Sequence, residues 1–383
     1  MPPVMANTIT PLKKISEEAG DLFARLSWPA PNNELYKRTD LSLLRNGFTP
    51  EAKNCLTERS EHLTGLHEFA EDHPGLIEEK LGRLIPAARG KLEAMNMAQA
   101  QDGIVLHLPE GRTLDTPIFA RFHCSGKTNA AFFTRNLILL GRGSRATLIE
   151  DWSGESSTTA LTVGATEIYL EEDAELNYVV IQNLGDSFHS FAYEAAHVAA
   201  GARLHLFHLE TGGAARRLDI AADAAGPNAQ SRITGAVLGH GRQNFDTVII
   251  QRHQAPHTAS DMLWKSALWG RSRSSFYGLI KIEQGANGTE AYQTANNLLL
   301  SQDAQAIPDP RLEILADDVR AKHAATVGHL DEEQKFYLMS RGLNERDAEH
   351  ILTAGFMHDT AGRLPENQAR WTVAAQLEKM LVP

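Results

Sequence analysis

The chain changes its hydrophobic rhythm twice. Over residues 8 to 100 apolar positions recur at helical spacing. Ile15, Ala19, Leu22, Phe23 and Leu26 form one stripe; Leu63, Leu66, Ala70, then Leu76, Ile77, Leu81 and Leu84 form another. Thr10 before Pro11 predicts an N-cap with proline at the first helical position, and Thr49 before Pro50 predicts a second start of the same kind. Pro29 and Pro31 close the first segment. Near residue 103 the period drops from about 3.6 to about 2. Ile104-Val105-Leu106-His107-Leu108 reads as a strand and runs into the turn signal Pro109-Glu110-Gly111. From there to about residue 316 the chain is short β-rich runs separated by Gly, Asn, Asp and Ser. After Asp318 helices are expected again. Asp331 is a plausible N-cap, with Glu332 and Glu333 in the first turn and Gly342 as a stop. Asn344 can cap a second helix ended by Gly355, and Pro365 can open a third.

The β-rich runs repeat. Gly143-Ser-Arg-Ala-Thr-Leu-Ile-Glu, Asp173-Ala-Glu-Leu-Asn-Tyr-Val-Val and Gly201-Ala-Arg-Leu-His-Leu-Phe-His each open on a turn residue and continue in alternation. Their starts lie roughly 28 to 30 residues apart, and Asn228-Ala-Gln-Ser-Arg-Ile-Thr-Gly follows about 27 further on. A period in that range marks a solenoid, whose turns bury their apolar sides on one another. A β-sandwich is the competing architecture, but sandwiches seldom hold one spacing so long. The boundaries read as 1–100 helical, 101–316 β and 317–383 helical. On physical grounds alone, the last unit would either dock a partner or cover the open end of the solenoid, with covering preferred.

Composition narrows the function. The chain has 383 residues, 42% hydrophobic and 22% charged, and a formal net charge of -11. That is ordinary globular composition, and the acidic balance argues against nucleic acid as main partner. Two isolated cysteines, Cys55 and Cys124, predict a reducing compartment, and the acids near the N-terminus argue against a targeting leader. A cytoplasmic protein is expected. Gly141-Arg-Gly143-Ser-Arg-Ala146 fits a dinucleotide fingerprint, but Thr147-Leu148-Ile149 continues as strand where a phosphate site needs a helix N-terminus. His253 and His257 have a metal-ligand spacing only on a helix, and Pro256 forbids one. No self-contained active site emerges. His323, with Asp317 and Asp318 nearby, is the one histidine placed by context where β structure hands over to helix. Imidazole suits iron, and carboxylates can orient the ring.

The same stretch carries a resemblance. Asn297-Leu-Leu-Leu-Ser, Pro310-Arg-Leu-Glu-Ile, the run from Ala316 through His323 to Gly328, and Phe336-Tyr-Leu-Met-Ser-Arg-Gly342 resemble the C-terminal signature of the SufB/SufD family of iron–sulfur cluster assembly proteins. Gln101 to Gly111, His253 to Ser260 with Lys265, Ser275 to Ile280 and, more loosely, Asn33 to Asp40 agree with it. The Ala-Thr-Val-Gly and Phe-Tyr-Leu-x-Ser-Arg-Gly forms are closer to SufD members than to SufB members. The resemblance implies a mainly β protein, a right-handed parallel β-helix with helical regions at both ends. It implies a non-catalytic scaffold that pairs with SufB through the β-helix and docks the SufC ATPase on its C-terminal helices. Phe336, Tyr337, Arg341 and Gly342 would then shape the docking site, in place of an end cap. It further implies that His323 contacts iron or a nascent cluster at the SufB interface, with Asp317 and Asp318 as weaker candidates. It leaves room for a flavin in the complex. Many SufD chains have cysteine two residues before that histidine; here Ala321 stands there. This chain offers no thiolate at that point, so soft ligands must come from the partner. A SufB-like self-assembling scaffold and a carbohydrate-active β-helix enzyme are the alternatives. Ala321 speaks against the first, and the lack of an acid cluster against the second.

Overall fold

The computed structural model describes residues 10–30, 32–45, 47–50, 55–101, 103–126, 129–156 and 158–381; Pro31, named above, and Asp102, within the stretch from Gln101 to Gly111, lie outside them. The described residues open with helix α1 (Pro11–Arg25) and the short strands β1 (Thr49–Pro50), β2 (Leu56–Arg59) and β3 (Leu63–Gly65). Helices α2 (Leu66–Asp72), α3 (Pro74–Lys80) and α4 (Lys91–Gln99) follow. The long β region comprises β4 (Ile104–Leu108), β5 (Ile118–Ser125), β6 (Ala130–Leu140), β7 (Arg145–Glu155), β8 (Ala160–Leu170), β9 (Glu175–Leu184), β10 (Phe188–Val198) and β11 (Arg203–Gly212). It continues through β12 (Ala215–Ala224), β13 (Gln230–Gly239), β14 (Asn244–His253), β15 (Ala259–Leu268), β16 (Arg273–Ile282), β17 (Thr289–Leu299), β18 (Gln305–Ile314) and β19 (Val319–His329). Helices α5 (Glu332–Ser340), α6 (Glu345–Ala361) and α7 (Asn367–Leu381) end the described chain.

From β4 onward each strand pairs in parallel with the next strand but one. Even-numbered strands build one sheet and odd-numbered strands the other, so each turn gives one strand to each. The result is a parallel β-solenoid. The sequence repeat is its rung register: Arg145, Glu175, Arg203, Gln230, Ala259, Glu290 and Arg320 stand side by side, one per turn. The fingerprint-like Gly141 to Ala146 is one of its corners. Gly143 takes φ +63 there, Gly143 N donates to Glu172 O at 2.9 Å, and β7 begins two residues later.

Both faces of most rungs are covered, which is why β6 is buried along its whole length. Inside, Leu148, Tyr178, Leu206, Ile233, Met262 and Trp264 belong to one continuous core. Outside the even sheet, Leu66, Phe69, Ile77 and Met97 pack against Val105, Leu137 and Leu139. Outside the odd sheet, Met357, Val373 and Leu377 pack against Val179, Ile181, Phe207 and Leu209.

Four local expectations change. Thr49–Pro50 pairs with β6 as strand, with no helix start there, because Ala130 and Ala131 offer a ladder partner. Leu63 belongs to β3, which runs antiparallel to β4. Helix resumes at Glu332 and not directly after Asp318, since residues 319–329 complete one more rung on β17. Gly355 lies inside α6, which runs on to Ala361. The helical unit also does not cover the solenoid end: α6 and α7 lie along the outer face of the odd sheet, where Met357, Val373 and Leu377 bury their apolar side chains. Among the described residues no helix is long and apolar enough to cross a membrane.

Candidate functional site

The two ends of the solenoid differ. At the first end β2 and β3 add antiparallel strands to β5 and β4. At the last end β18 and β19 are the outermost strands of their sheets. β19 is exposed over most of its length, and Ile307, Ile314, Leu315 and Val327 are large apolar side chains left in solvent. A strand edge of this kind is a template for another strand. β18 carries Pro308 and Pro310, which lack ladder N–H groups, whereas β19 carries no proline.

His323 sits in the middle of β19. Residues in register on parallel strands point the same way. His323 aligns with Gln293, and that column continues through Met262, Ile233, Leu206 and Tyr178 in the core. The imidazole is therefore the last member of an inward-facing column, exposed because no further rung covers it. Gln293 beneath it is buried, and neither its amide nitrogen nor its oxygen has a partner among the described residues. Composition alone could not single out Gln293; the rung period could, since it sits 31 residues after Met262. Asp317 and Asp318 lie in the exposed bend before β19. The strand from Val319 to His323 alone spans about 13 Å, so the two acids are not brought to the ring. Among the described residues no three His, Cys, Asp or Glu side chains are grouped to hold a metal. Ala321 is half-buried and packs beside Ile280, Ile282 and Ala291.

The second candidate surface is α5. Asp331 caps it, its carboxylate accepting from Glu333 N at 2.9 Å and Gln334 N at 3.2 Å. Lys335 anchors it through Glu332, Glu345 and Glu349. No α5 residue is buried; Phe336 is 72% and Tyr337 56% exposed. Arg341 lies over the Tyr337 ring at 5.1 Å, and Gly342, with φ +99, turns the chain into α6. Phe336, Tyr337, Arg341 and Gly342 thus share one turn-and-helix surface.

The remaining candidates are structural. His253 is buried, its ring nitrogens 2.8 Å from Thr258 Oγ1 and 2.9 Å from Ser260 Oγ, and burial pushes it down to about 4. His257 occupies a left-handed turn, φ +58. Cys55 and Cys124 are both buried. The strongest polar cluster was missed by sequence reasoning. His208 and Glu210 alternate with Phe207 and Leu209 along β11, and in a strand covered on both faces that alternation sends the polar pair inward.

Residues 122–356 match the family model described as the SUF system FeS cluster assembly, SufBD core domain, and residues 44–119 match the SufBD protein N-terminal region. The chain is 30% identical over 255 residues to the iron–sulfur cluster assembly protein SufD of Escherichia coli, covering 67% of this chain and 60% of that protein. It is 25% identical over 322 residues to an iron–sulfur cluster assembly SufBD family protein of Pyropia yezoensis, covering 82% of this chain and 66% of that one. A SufBD family protein of Mycobacterium leprae is 29% identical over 274 residues, covering 70% of this chain and 31% of its own length.

Proposed function

Because the chain belongs to the SufBD family of iron–sulfur cluster assembly proteins, we propose that it is a non-catalytic, SufD-type scaffold of the cytoplasmic assembly complex. The observation that carries this reading is the uncovered rung at the C-terminal end of the solenoid. β19 offers a proline-free edge with exposed apolar residues beside it, the surface a second β-solenoid would extend. A SufB-type chain is the proposed partner there. The aromatic face of α5, held out from the solenoid, is the proposed docking surface for the SufC ATPase, with Phe336, Tyr337, Arg341 and Gly342 at its centre.

Iron or a nascent cluster is cargo at the joint. His323 supplies one imidazole at the mouth of the inward column, a borderline donor suited to iron. Asp317 and Asp318 would reach that cargo only from the rim of the interface. The thiolates come from the partner, because Ala321 and the buried Cys55 and Cys124 offer none at the edge. No step of this reading is assigned to a flavin, whose place would be in the assembled complex.

The test is co-purification of the tagged chain with SufB- and SufC-type partners from the same source, followed by ATPase and bound-iron assays. A ternary complex with ATPase above that of the SufC-type protein alone is expected. His323→Ala should leave that complex assembled and lower its bound iron. A chain that comes down alone, with the ATPase unchanged, would sink the reading. An unaided homodimer that holds a stoichiometric cluster would favour the self-assembling alternative.

A further inference from the structure

Several rungs away from the open end, ionisable side chains crowd the lumen where a core is ordinarily apolar. His208 on β11 stands between two glutamates, with Nδ1 2.9 Å from Glu210 Oε1 and Nε2 3.1 Å from Glu194 Oε2. Arg216 on β12 donates from Nε and Nη2 to Glu210 at 2.9 and 3.1 Å, and from Nη1 to Ser190 Oγ at 2.7 Å. On the same sheet as His208 and two rungs away in its register column, Glu150 on β7 accepts from Asn136 Nδ2 at 2.9 Å and from Trp152 Nε1 at 3.0 Å, with the Tyr178 hydroxyl as a further partner. All five charged residues are buried. Glu150, Glu194 and Arg216 line a chamber of about 40 Å³, room for roughly two to four waters. Gln182 lines it, is 2% exposed, and has no partner among the described residues for either its Oε1 or its Nε2.

Charge counting decides what this cluster holds. Three carboxylates, Glu150, Glu194 and Glu210, face two cations, Arg216 and a His208 with a carboxylate at each ring nitrogen. One negative charge is left over, and an uncompensated buried charge costs more than protonating the group that carries it. Glu210 is held by Arg216 and His208, and Glu194 by His208. Among the described residues Glu150 meets only neutral donors: Asn136 from β6, Trp152 from its own strand and Tyr178 from β9. Thr166 on β8 is neutral too, and the nearest charges, Glu194 and His208, oppose one another. We infer that the lumen is a proton-binding site, in which Glu150 carries one exchangeable proton and chamber water links it to Gln182.

The titration directions agree. Burial raises the Glu150 carboxyl to about 7, and Glu194 adds to the rise against the Tyr178 and Trp152 hydrogen bonds. Burial alone would lower His208, but Glu194 and Glu210 carry it up to about 9, so it stays charged while Glu150 titrates. Tyr178 is pushed well above its ordinary value by burial and by Glu150, and remains neutral. The site is separate from the assembly role proposed above and can fail without it.

The experiment is infrared spectroscopy of the full chain with carboxyl-labelled glutamate, titrated from about pH 5 to about pH 9, beside Glu150→Gln. A protonated-carboxyl band that vanishes as pH passes about 7 in the wild type, and is reduced in the variant, is the expected result. No such band, or a band that the substitution leaves whole, overturns the inference. So does a lumen that stays ionised and gains stability from sodium or potassium, which would make the counter-charge a metal cation. The wild-type protein gives a second readout that needs no folded variant. The Trp152 indole N–H donates to Glu150, so its resonance should move in one step near neutrality; a flat titration overturns the proposal.

Discussion

Arg135 on β6 and Glu167 on β8 are fully buried and 2.6 Å apart. The arginine also donates to Ile85 O at 2.7 Å and Asn96 Oδ1 at 3.1 Å, and the glutamate accepts from the backbone N–H groups of Gly82, Leu84 and Ile85. The pair fastens the N-terminal helices to the even sheet and satisfies backbone donors that no strand could reach. Removing one partner strands the other charge in the core. Glu167→Ala should therefore cost about 3–5 kcal/mol in urea unfolding, far more than an average substitution. His208 makes the opposite kind of prediction. Its folded-state pKa is raised, to about 9 from 6.5. The stability it contributes is present below about pH 6.5 and lost as pH rises through 9, on the order of 3 kcal/mol in all. The urea midpoint of the wild type should fall across that window, and His208→Gln should flatten the fall. A wild-type midpoint that rises there would contradict the charged imidazole.

A rung works only if its inward side chains fit those above and below. Gly235 on β13 aligns with Trp264 on β15, and a Cβ at Gly235 would lie 2.1 Å from the indole. Gly235→Ala should cost about 1–3 kcal/mol through overpacking, seen as a lower melting temperature with little change in circular dichroism. An unchanged melting temperature would mean that the indole sits elsewhere. The helices obey a different constraint. Lys265 reaches out of β15 to Phe356 O at 2.9 Å and Asp359 Oδ2 at 2.6 Å, and so clamps α6 to the odd sheet. Among the described residues α5 makes no such ion pair or hydrogen bond to the solenoid, and its aromatic residues are exposed. The Asp331 and Asn344 caps were legible as residue types before the fold was known, and both side chains do accept from the first turn. Thr49–Pro50 misled because the same dipeptide also suits an edge strand, and only the nearness of β6 decided between them.

At the scale of the molecule the asymmetry of the two ends matters most. One end is finished within the chain by β2 and β3, while the other leaves β18 and β19 outermost. Val327 is 47% exposed on β19. Val327→Lys should leave the isolated chain within about 0.5 kcal/mol of wild-type stability. Against the proposed β-solenoid partner it buries an unpaired charge, so affinity should drop by at least about 2 kcal/mol, roughly thirtyfold, in a titration by calorimetry. Unchanged binding would move the interface off this edge.

The sequence by itself determined the solenoid and its register. The 27- to 31-residue recurrence of turn residue and apolar alternation is a local property, repeated because each rung meets the same neighbours. It also carried the family signature through His323 and Phe336. What only the tertiary structure decided was direction. Period-2 alternation says that two faces exist, but where both are buried it cannot say which faces the lumen. Hence the Glu150–Glu194–His208 cluster stayed hidden, although each residue was in plain view. The place of the C-terminal helices was settled the same way. Their apolar stripes required burial somewhere, and they found it on the outer face of the odd sheet against Val179, Ile181, Phe207 and Leu209.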